Sequence, residues 1–468
     1  MTRHTLTILE HHRAELAKSL LRDSNEYAAI LLCGRSRTVD PWTGLPQERY
    51  LVRELVEVDP SAFSSRSPQG LTWSTTPFFN CLKRAENEDL AVAVAHSHPN
   101  GPLAFSPQDD IAEKELFRIA FDRLDGERPH LSIVMDGKQD LVARAYGPAL
   151  CPARVDLIRS VGNRWRFWAA SAPGAARHLD RQRRAFGRDA TAELQSLRVG
   201  VVGCGGTGSA AVALLARIGV AHIALFDFDR IEETNLNRVH FSTRADAILR
   251  RHKVEVIAEA LGAMGLQSSV VAIPYDVGDA RARDALLSCD VLLGCTDDHL
   301  GRNILNRIAH FYLIPVIDLG LLIEPSEDGS GYDVFDGRVT VVQPGVPCQV
   351  CRGLISSNRM HAEALLRTDP LLYERRRRAG YVPSLDEQNP AVITFTTEVA
   401  TMAVNELFQR LTGFRGPAGQ AYERVRRFDE LKDSDTTPAG KSRPGCKLCD
   451  RRIYDGRGDC TPFLDMTP

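Results

Sequence analysis

The segment RVGVVGCGGTGSAAVALLARIG, residues 198–219, decides the reading of the larger part of this chain. It opens as a short apolar strand, turns through glycines at 203, 205 and 208, and continues with apolar residues at helical spacing. A strand, a glycine turn and a helix in that order aim backbone N–H groups and the positive end of the helix dipole at one spot, which suits a phosphate. Working outward, HIALFD, VVAIPYD, DVLLGC and PVIDLG are further short apolar strands separated by helical patterns. Their alternation predicts a Rossmann-like α/β unit, a parallel-rich central sheet wrapped by helices. By the glycines and Asp227 alone, an NAD-dependent oxidoreductase with a peptidase-like module fits equally well.

The segment DFDRIEETNLNRVHF, residues 227–241, separates these cases. It supplies Asp227, Asp229, Asn235 and Arg238, and Lys253 follows on the next helix. Two cations beside a phosphate loop suit a triphosphate better than a dinucleotide, although each residue singly is more often a solvated surface group. Asp297 follows the strand DVLLGC at the carboxyl edge of the sheet, where it could hold magnesium. Together these groups suit nucleotidyl transfer, in which a carboxylate attacks the α-phosphate of ATP and the cations neutralise the leaving pyrophosphate.

In combination, the glycine loop, DxD, NLNR, the lysine and CTD resemble the ThiF/MoeB family, the fold of ubiquitin-activating enzymes, over about residues 175–430. The resemblance implies that Gly203, Gly205, Gly206, Asp227, Asp229, Asn235, Arg238 and Lys253 bind ATP, with Asp297 at magnesium. It also implies that Arg181, in DRQRRAFG, reaches the γ-phosphate bound by a partner subunit, giving a homodimer with composite sites.

Nearer the start, HSHPNGPLAFSPQD, residues 96–109, sets His96 and His98 on one face of a strand end, because alternate strand residues point the same way. A third ligand, Asp109, opens the next helix after a short loop bent by prolines and glycine. Two imidazoles and a carboxylate with an open position suit a catalytic zinc, which activates water for attack on an amide carbonyl. Ser106 and Asp109, with Pro107 between them, also read as an ordinary helix cap. The full spacing resembles the JAMM motif of the JAB/MPN metallopeptidases, over about the first 150 residues. That resemblance implies zinc on His96, His98 and Asp109, oxyanion stabilisation by Ser106, and Glu26, leading EYAAILLCG, as general acid/base.

Two CxxC pairs, Cys348/Cys351 and Cys446/Cys449, are the recipe for a closed structural zinc site. The ThiF-like enzymes carry the same site. The enzyme thioester of ubiquitin activation needs a further cysteine, yet none lies between Arg352 and Gly445, and Cys460 is a weak substitute. Adenylation is then the expected activity, with the acyl group handed to a separate acceptor such as a conjugating enzyme.

A length of 468 residues favours about three units of roughly 150 residues each. The reading is an α+β metallopeptidase unit at 1–148, a helical, arginine-rich linker at 149–190, the adenylation unit at 191–435 and a partly loose C-terminal segment at 436–468. A net charge of −2 argues against nucleic acid, and the absence of a long apolar run argues against a membrane or export, so a cytoplasmic location is expected. The two halves imply one substrate, a ubiquitin-like protein with a C-terminal glycine, cut from a precursor or conjugate and then adenylated. The alternative substrate is a sulfur-carrier protein.

Overall fold

The computed structural model describes residues 2–124, 128–170, 176–385, 390–416, 419–430, 432–436 and 440–466. Two large sheets organise them. The first is formed by β1 (Arg3–Leu9), β2 (Ala28–Val39), β3 (Pro46–Glu57), β6 (Ala91–His98), β7 (His130–Asp136), β8 (Leu141–Tyr146), β9 (Pro152–Arg154), β10 (Leu157–Val161) and β11 (Arg166–Ala169). Their spatial order is β11-β10-β1-β3-β2-β6-β7-β8-β9, and a ribbon of β4 (Phe63–Ser67) and β5 (Gly70–Trp73) stands apart. Helices α1 (Glu10–Leu20), α2 (Thr76–Glu88) and α3 (Pro107–Arg123) accompany this sheet.

This arrangement corrects the helical linker expected over 149–190. Three short strands there extend the first sheet, β10 lying parallel to β1, and the helix α4 starts only at Asp180 and ends at Ser196. LIRSV and RFWA are too short to signal strands strongly. They become strands because the free edge of β1 offers unpaired backbone groups and a buried place for Leu157, Ile158 and Phe167.

The second sheet joins β12 (Arg198–Val202), β13 (His222–Phe226), β14 (Ser269–Ile273), β15 (Val291–Gly294), β16 (Val316–Pro325), β17 (Tyr332–Val342), β18 (Glu423–Arg427) and β19 (Lys432–Thr436). In the order β14-β13-β12-β15-β16 all pairs are parallel, as the sequence predicts, while β17, β18 and β19 continue antiparallel. Strand order reverses beside β12, so the glycine loop that follows it sits at the switch point where open α/β sheets bind ligands. Around it lie α5 (Gly206–Arg217), α6 (Arg244–Ile248), α7 (Lys253–Ala263), α8 (Ala280–Leu287), α9 (His299–Phe311), α10 (Ser357–Thr368), α11 (Pro370–Arg378) and α12 (Ile393–Thr412). Among the described residues no helix is long and apolar enough to cross a membrane.

Period-two alternation shares the first sheet between two cores. Leu6, Ile8, Tyr50, Val52 and Ile158 face a core of their own, whereas Leu9, Leu51, Leu157 and Val161 join the core of the second sheet. Polar ties reinforce this junction. Arg159 meets Asp290 at 2.6 Å with both side chains almost fully buried, and Arg198 meets Asp40 at 2.7 Å. Arg49 donates to the carbonyls of Leu287 and Cys289 at the C-terminal end of α8, where the helix dipole presents partial negative charge. Arg198 opens β12 and Asp290 precedes β15, so the first sheet floors the amino ends of the parallel strands.

The C-terminal segment is not loose over its described residues. Its backbone N–H groups at Gly456, Gly458 and Asp459 donate to His310, Phe311 and Arg35. A Cβ on Gly34 would lie 2.0 Å from the Gly456 carbonyl oxygen, so glycine is required where the segment crosses β2.

Candidate functional site

The histidine pair ends β6, and β2 runs antiparallel beside it with Ala28 opposite His96. Counting back, Glu26 lies opposite His98, on the same face. Ser97 fastens this register: its hydroxyl accepts the Tyr27 N–H at 3.1 Å and donates to the Leu20 carbonyl at 2.8 Å. Asp109 arrives from the first turn of α3, where Ser106 is the N-cap. The Ser106 N–H donates to Asp109 Oδ2 at 2.6 Å and the Ser106 hydroxyl accepts the Asp109 N–H. The capping reading and the ligand reading therefore coexist, because Asp109 Oδ1 remains 3.2 Å from His96 Nε2.

The spacing of these atoms fits zinc. Tetrahedral ligands at the usual Zn–N and Zn–O lengths stand about 3.3 Å from one another. Here His96 Nε2 is 3.2 Å from His98 Nε2 and 3.2 Å from Asp109 Oδ1, and His98 Nε2 is 3.7 Å from Asp109 Oδ2. His98 Nδ1–H donates to the Pro102 carbonyl at 3.1 Å, leaving the Nε2 lone pair for a metal. Glu26 Oε1 is 3.8 Å from His98 Nε2, and burial raises its carboxyl above the usual range against the pull of the two imidazoles.

Cys348, Cys351, Cys446 and Cys449 also converge, with all four sulfurs within 4.8 Å of one another. Tetrahedral thiolates at a Zn–S length of 2.3 Å stand about 3.8 Å apart. The Cys348–Cys446 and Cys351–Cys449 separations are 3.9 and 3.5 Å. Burial alone would raise the Cys446 thiol, but N–H groups of Cys449 and Leu448 help to hold it at about 7.

The glycine loop has the conformation its residues demand. Gly203 has φ +90°, and a Cβ on Gly208 would sit 1.8 Å from the Gly203 carbonyl oxygen. Space around Gly205 is open, and Gly206 begins α5. Asp227 accepts the Cys204 N–H at 2.7 Å, and burial raises its carboxyl despite Lys253 at 4.0 Å. Lys253 Nζ pairs with Asp229 at 2.7 Å; burial would lower its pKa, but the two aspartates together raise it. Asn235 is buried in a short turn and accepts the Glu232 N–H, while Arg238 donates to the Thr234 carbonyl beside Gly206. Asp297 is exposed just beyond β15, whereas its neighbour Asp298 caps α9. Arg181 is not gathered with this group. It is exposed on α4 next to Gln182, which bonds the Ile218 carbonyl at the opposite end of α5 from the glycine loop.

Cys204 and Cys295 flank the loop, but burial pushes both thiols well up. Cys460 lies beside Asp459, which bonds Arg37 and Arg283 on the floor side of the second sheet, away from the loop. Sequence reading offers Pro102 only as a bend in the loop, not as the acceptor for His98, and gives no sign of the tie made by the Ser97 hydroxyl, since a carbonyl or a lone serine leaves no pattern.

A strand, a glycine turn and a helix at the switch point of a doubly wound sheet define an α/β protein of Rossmann-like fold. The sequence profile of the ThiF family matches residues 179–448, and the chain belongs to that family. The profile for prokaryotic homologs of the JAB domain matches residues 9–146, so the chain is a JAB and ThiF fusion. The chain is similar to the molybdopterin-synthase adenylyltransferase of Escherichia coli (strain K12), at 31% identity over 36% of this chain and 63% of that protein. It is also similar to the SAMP-activating enzyme E1 of Haloferax volcanii, at 30% identity over 35% of this chain and 56% of that protein. Both matches span less than two thirds of the relative. Among solved structures, Escherichia coli MccB with ATP aligns over 59% of this chain and 76% of that chain, with 20% identity and a TM-score of 0.43.

Proposed function

We propose that this chain is a bifunctional enzyme that cuts a ubiquitin-like protein from a precursor or conjugate and adenylates its C-terminal glycine carboxylate with ATP. The observation that carries this reading is the presence, in one chain, of a three-donor site with zinc spacing and a glycine loop flanked by Asp227, Arg238 and Lys253. The units are the peptidase part from residue 1 to about 148, the stretch at 149–190 whose strands β9, β10 and β11 complete the first sheet, the adenylation part at 191–435 and the C-terminal segment at 436–468.

A zinc held by His96, His98 and Asp109 would supply Lewis-acid activation of water. Glu26 would serve as general acid/base, taking the water's proton and returning it to the leaving amine. The Ser106 hydroxyl spends an acceptor site on Asp109 and keeps its own proton to donate to an oxyanion. In the second site the amides of the glycine loop would face the phosphates of ATP. Lys253 and Arg238 would neutralise their charge, Asp297 would hold magnesium, and Arg181 would enter the partner's site of a homodimer. A structural zinc would join the two CxxC pairs.

The lack of cysteine from Arg352 to Gly445 supports direct transfer of the acyl group to a separate acceptor, such as a conjugating enzyme. The names of several relatives, "adenylyltransferase and sulfurtransferase" among them, support the second reading, in which the small protein is a sulfur carrier. ATP–pyrophosphate exchange with labelled pyrophosphate and candidate β-grasp proteins tests the activation step. Carrier-dependent exchange is expected, and tight NAD binding without exchange would overturn it. Lysine-linked conjugates in cells support the ubiquitin-like reading, and a thiocarboxylate on the carrier supports the other.

A further inference from the structure

Asp109 is the one donor of the histidine site carried by a helix; the two histidines come from a strand. Their spacing therefore depends on how the first turn of α3 is held against the sheet. That turn has no apolar anchor: Pro107 and Gln108 are exposed and Ile111 is 65% exposed. The first fully buried apolar side chain of α3 is Phe117, eight residues beyond Asp109, or about 12 Å along the axis. A tilt of roughly 5° about Phe117 would move Asp109 by about 1 Å, enough to spoil a ligand set.

Arg144, on β8 and 8% exposed, supplies the missing anchor. Its Nη1 donates to Asp110 Oδ1 at 2.5 Å and its Nε to Glu113 Oε2 at 2.8 Å. The other Glu113 oxygen accepts the Ser132 hydroxyl of β7 at 2.6 Å. The guanidinium also lies 3.9 Å over the Phe105 ring, just before the cap, and that ring is 6.5 Å from the His96 ring. Arg144 thus grips the chain on both sides of Ser106–Asp109, through a planar fork that a lysine cannot reproduce.

We propose that Arg144 is a positioning residue for the histidine–aspartate site, holding the first turn of α3 so that Asp109 meets His96 and His98 at zinc-binding distance. The inference rests on the peptidase reading above. The test is zinc affinity of the full chain by chelator competition, with the four-cysteine site as internal reference. Arg144→Gln is expected to weaken the histidine site about 10- to 100-fold and leave the cysteine site unchanged. Arg144→Lys and Asp110→Asn should each lose less. A melting temperature kept within a few degrees separates positioning from general destabilisation. Unchanged zinc affinity in a folded Arg144→Gln chain, or an equal loss at both zinc sites, overturns the inference alone. A wild-type chain that binds a single zinc, insensitive to His96→Ala, overturns the peptidase reading and this inference with it.

Discussion

Glu26 shows how much a single side chain owes to its register. It stands opposite His98 because Ala28 pairs with His96, and a slip of one residue would turn it to the other face. Under the proposed peptidase role, Glu26→Gln keeps the shape and removes the base. Isopeptide cleavage is expected to fall about 100- to 10,000-fold with the zinc content unchanged, measured by turnover and metal analysis on the same sample. His130 makes a different point. It is buried on β7 and accepts the Val92 N–H through Nδ1, and burial lowers its pKa to about 4. The folded state keeps it neutral while the unfolded chain takes up a proton below about 6.5. Its stabilising contribution is therefore complete above that pH and is lost as pH falls to about 4, amounting to roughly 3 kcal/mol. Denaturant unfolding of His130→Gln should show a flatter dependence across this window.

At the scale of elements, the C-terminal segment is a strap held at two points. The cysteine cluster fixes its beginning, and backbone bonds from Gly456, Gly458 and Asp459 fix the part that crosses α9 and β2. Between and beyond these points Leu448, Tyr454 and Leu464 are buried in the core of the second sheet, and a zinc at the cysteines would add to that anchorage. Cys446→Ser, or strong chelation, is expected to release zinc, raise hydrogen exchange over residues 453–460 and lower the melting temperature. Unaltered exchange there would show that the backbone bonds and buried side chains suffice without the cysteine cluster.

On the scale of the whole molecule, the two sheets share a core, and the junction buries charges as well as leucine and valine. Arg159 and Asp290 are both almost inaccessible, and Asp290 also accepts the Arg198 N–H at 3.0 Å. Removing one partner strands the other in a dry place. Asp290→Ala is expected to cost about 3 to 5 kcal/mol and to separate unfolding of the first sheet from that of the second, read as two transitions in denaturant. This junction places the first sheet at the amino ends of the parallel strands, opposite the carboxyl ends where the glycine loop follows β12.

The features legible from the chain alone are those whose chemistry repeats or lies close in sequence. The glycine turn, the parallel strands around it, the His-x-His with Ser106 and Asp109, and the paired CxxC motifs all carry their spacing in one dimension. Tertiary structure decided the rest. The pairing of β10 with β1 joins residues some 150 apart and depends on which strand edge was left free. Beyond its CxxC pair the strap is held by backbone bonds and by scattered side chains such as Tyr454, Asp455 and Leu464, whose partners lie on distant elements and leave no periodic mark in the sequence. Arg144 looks like one arginine among many until α3 is laid across β8. Local pattern reports what a residue can do, whereas burial and the satisfaction of polar groups across the fold select which residues do it.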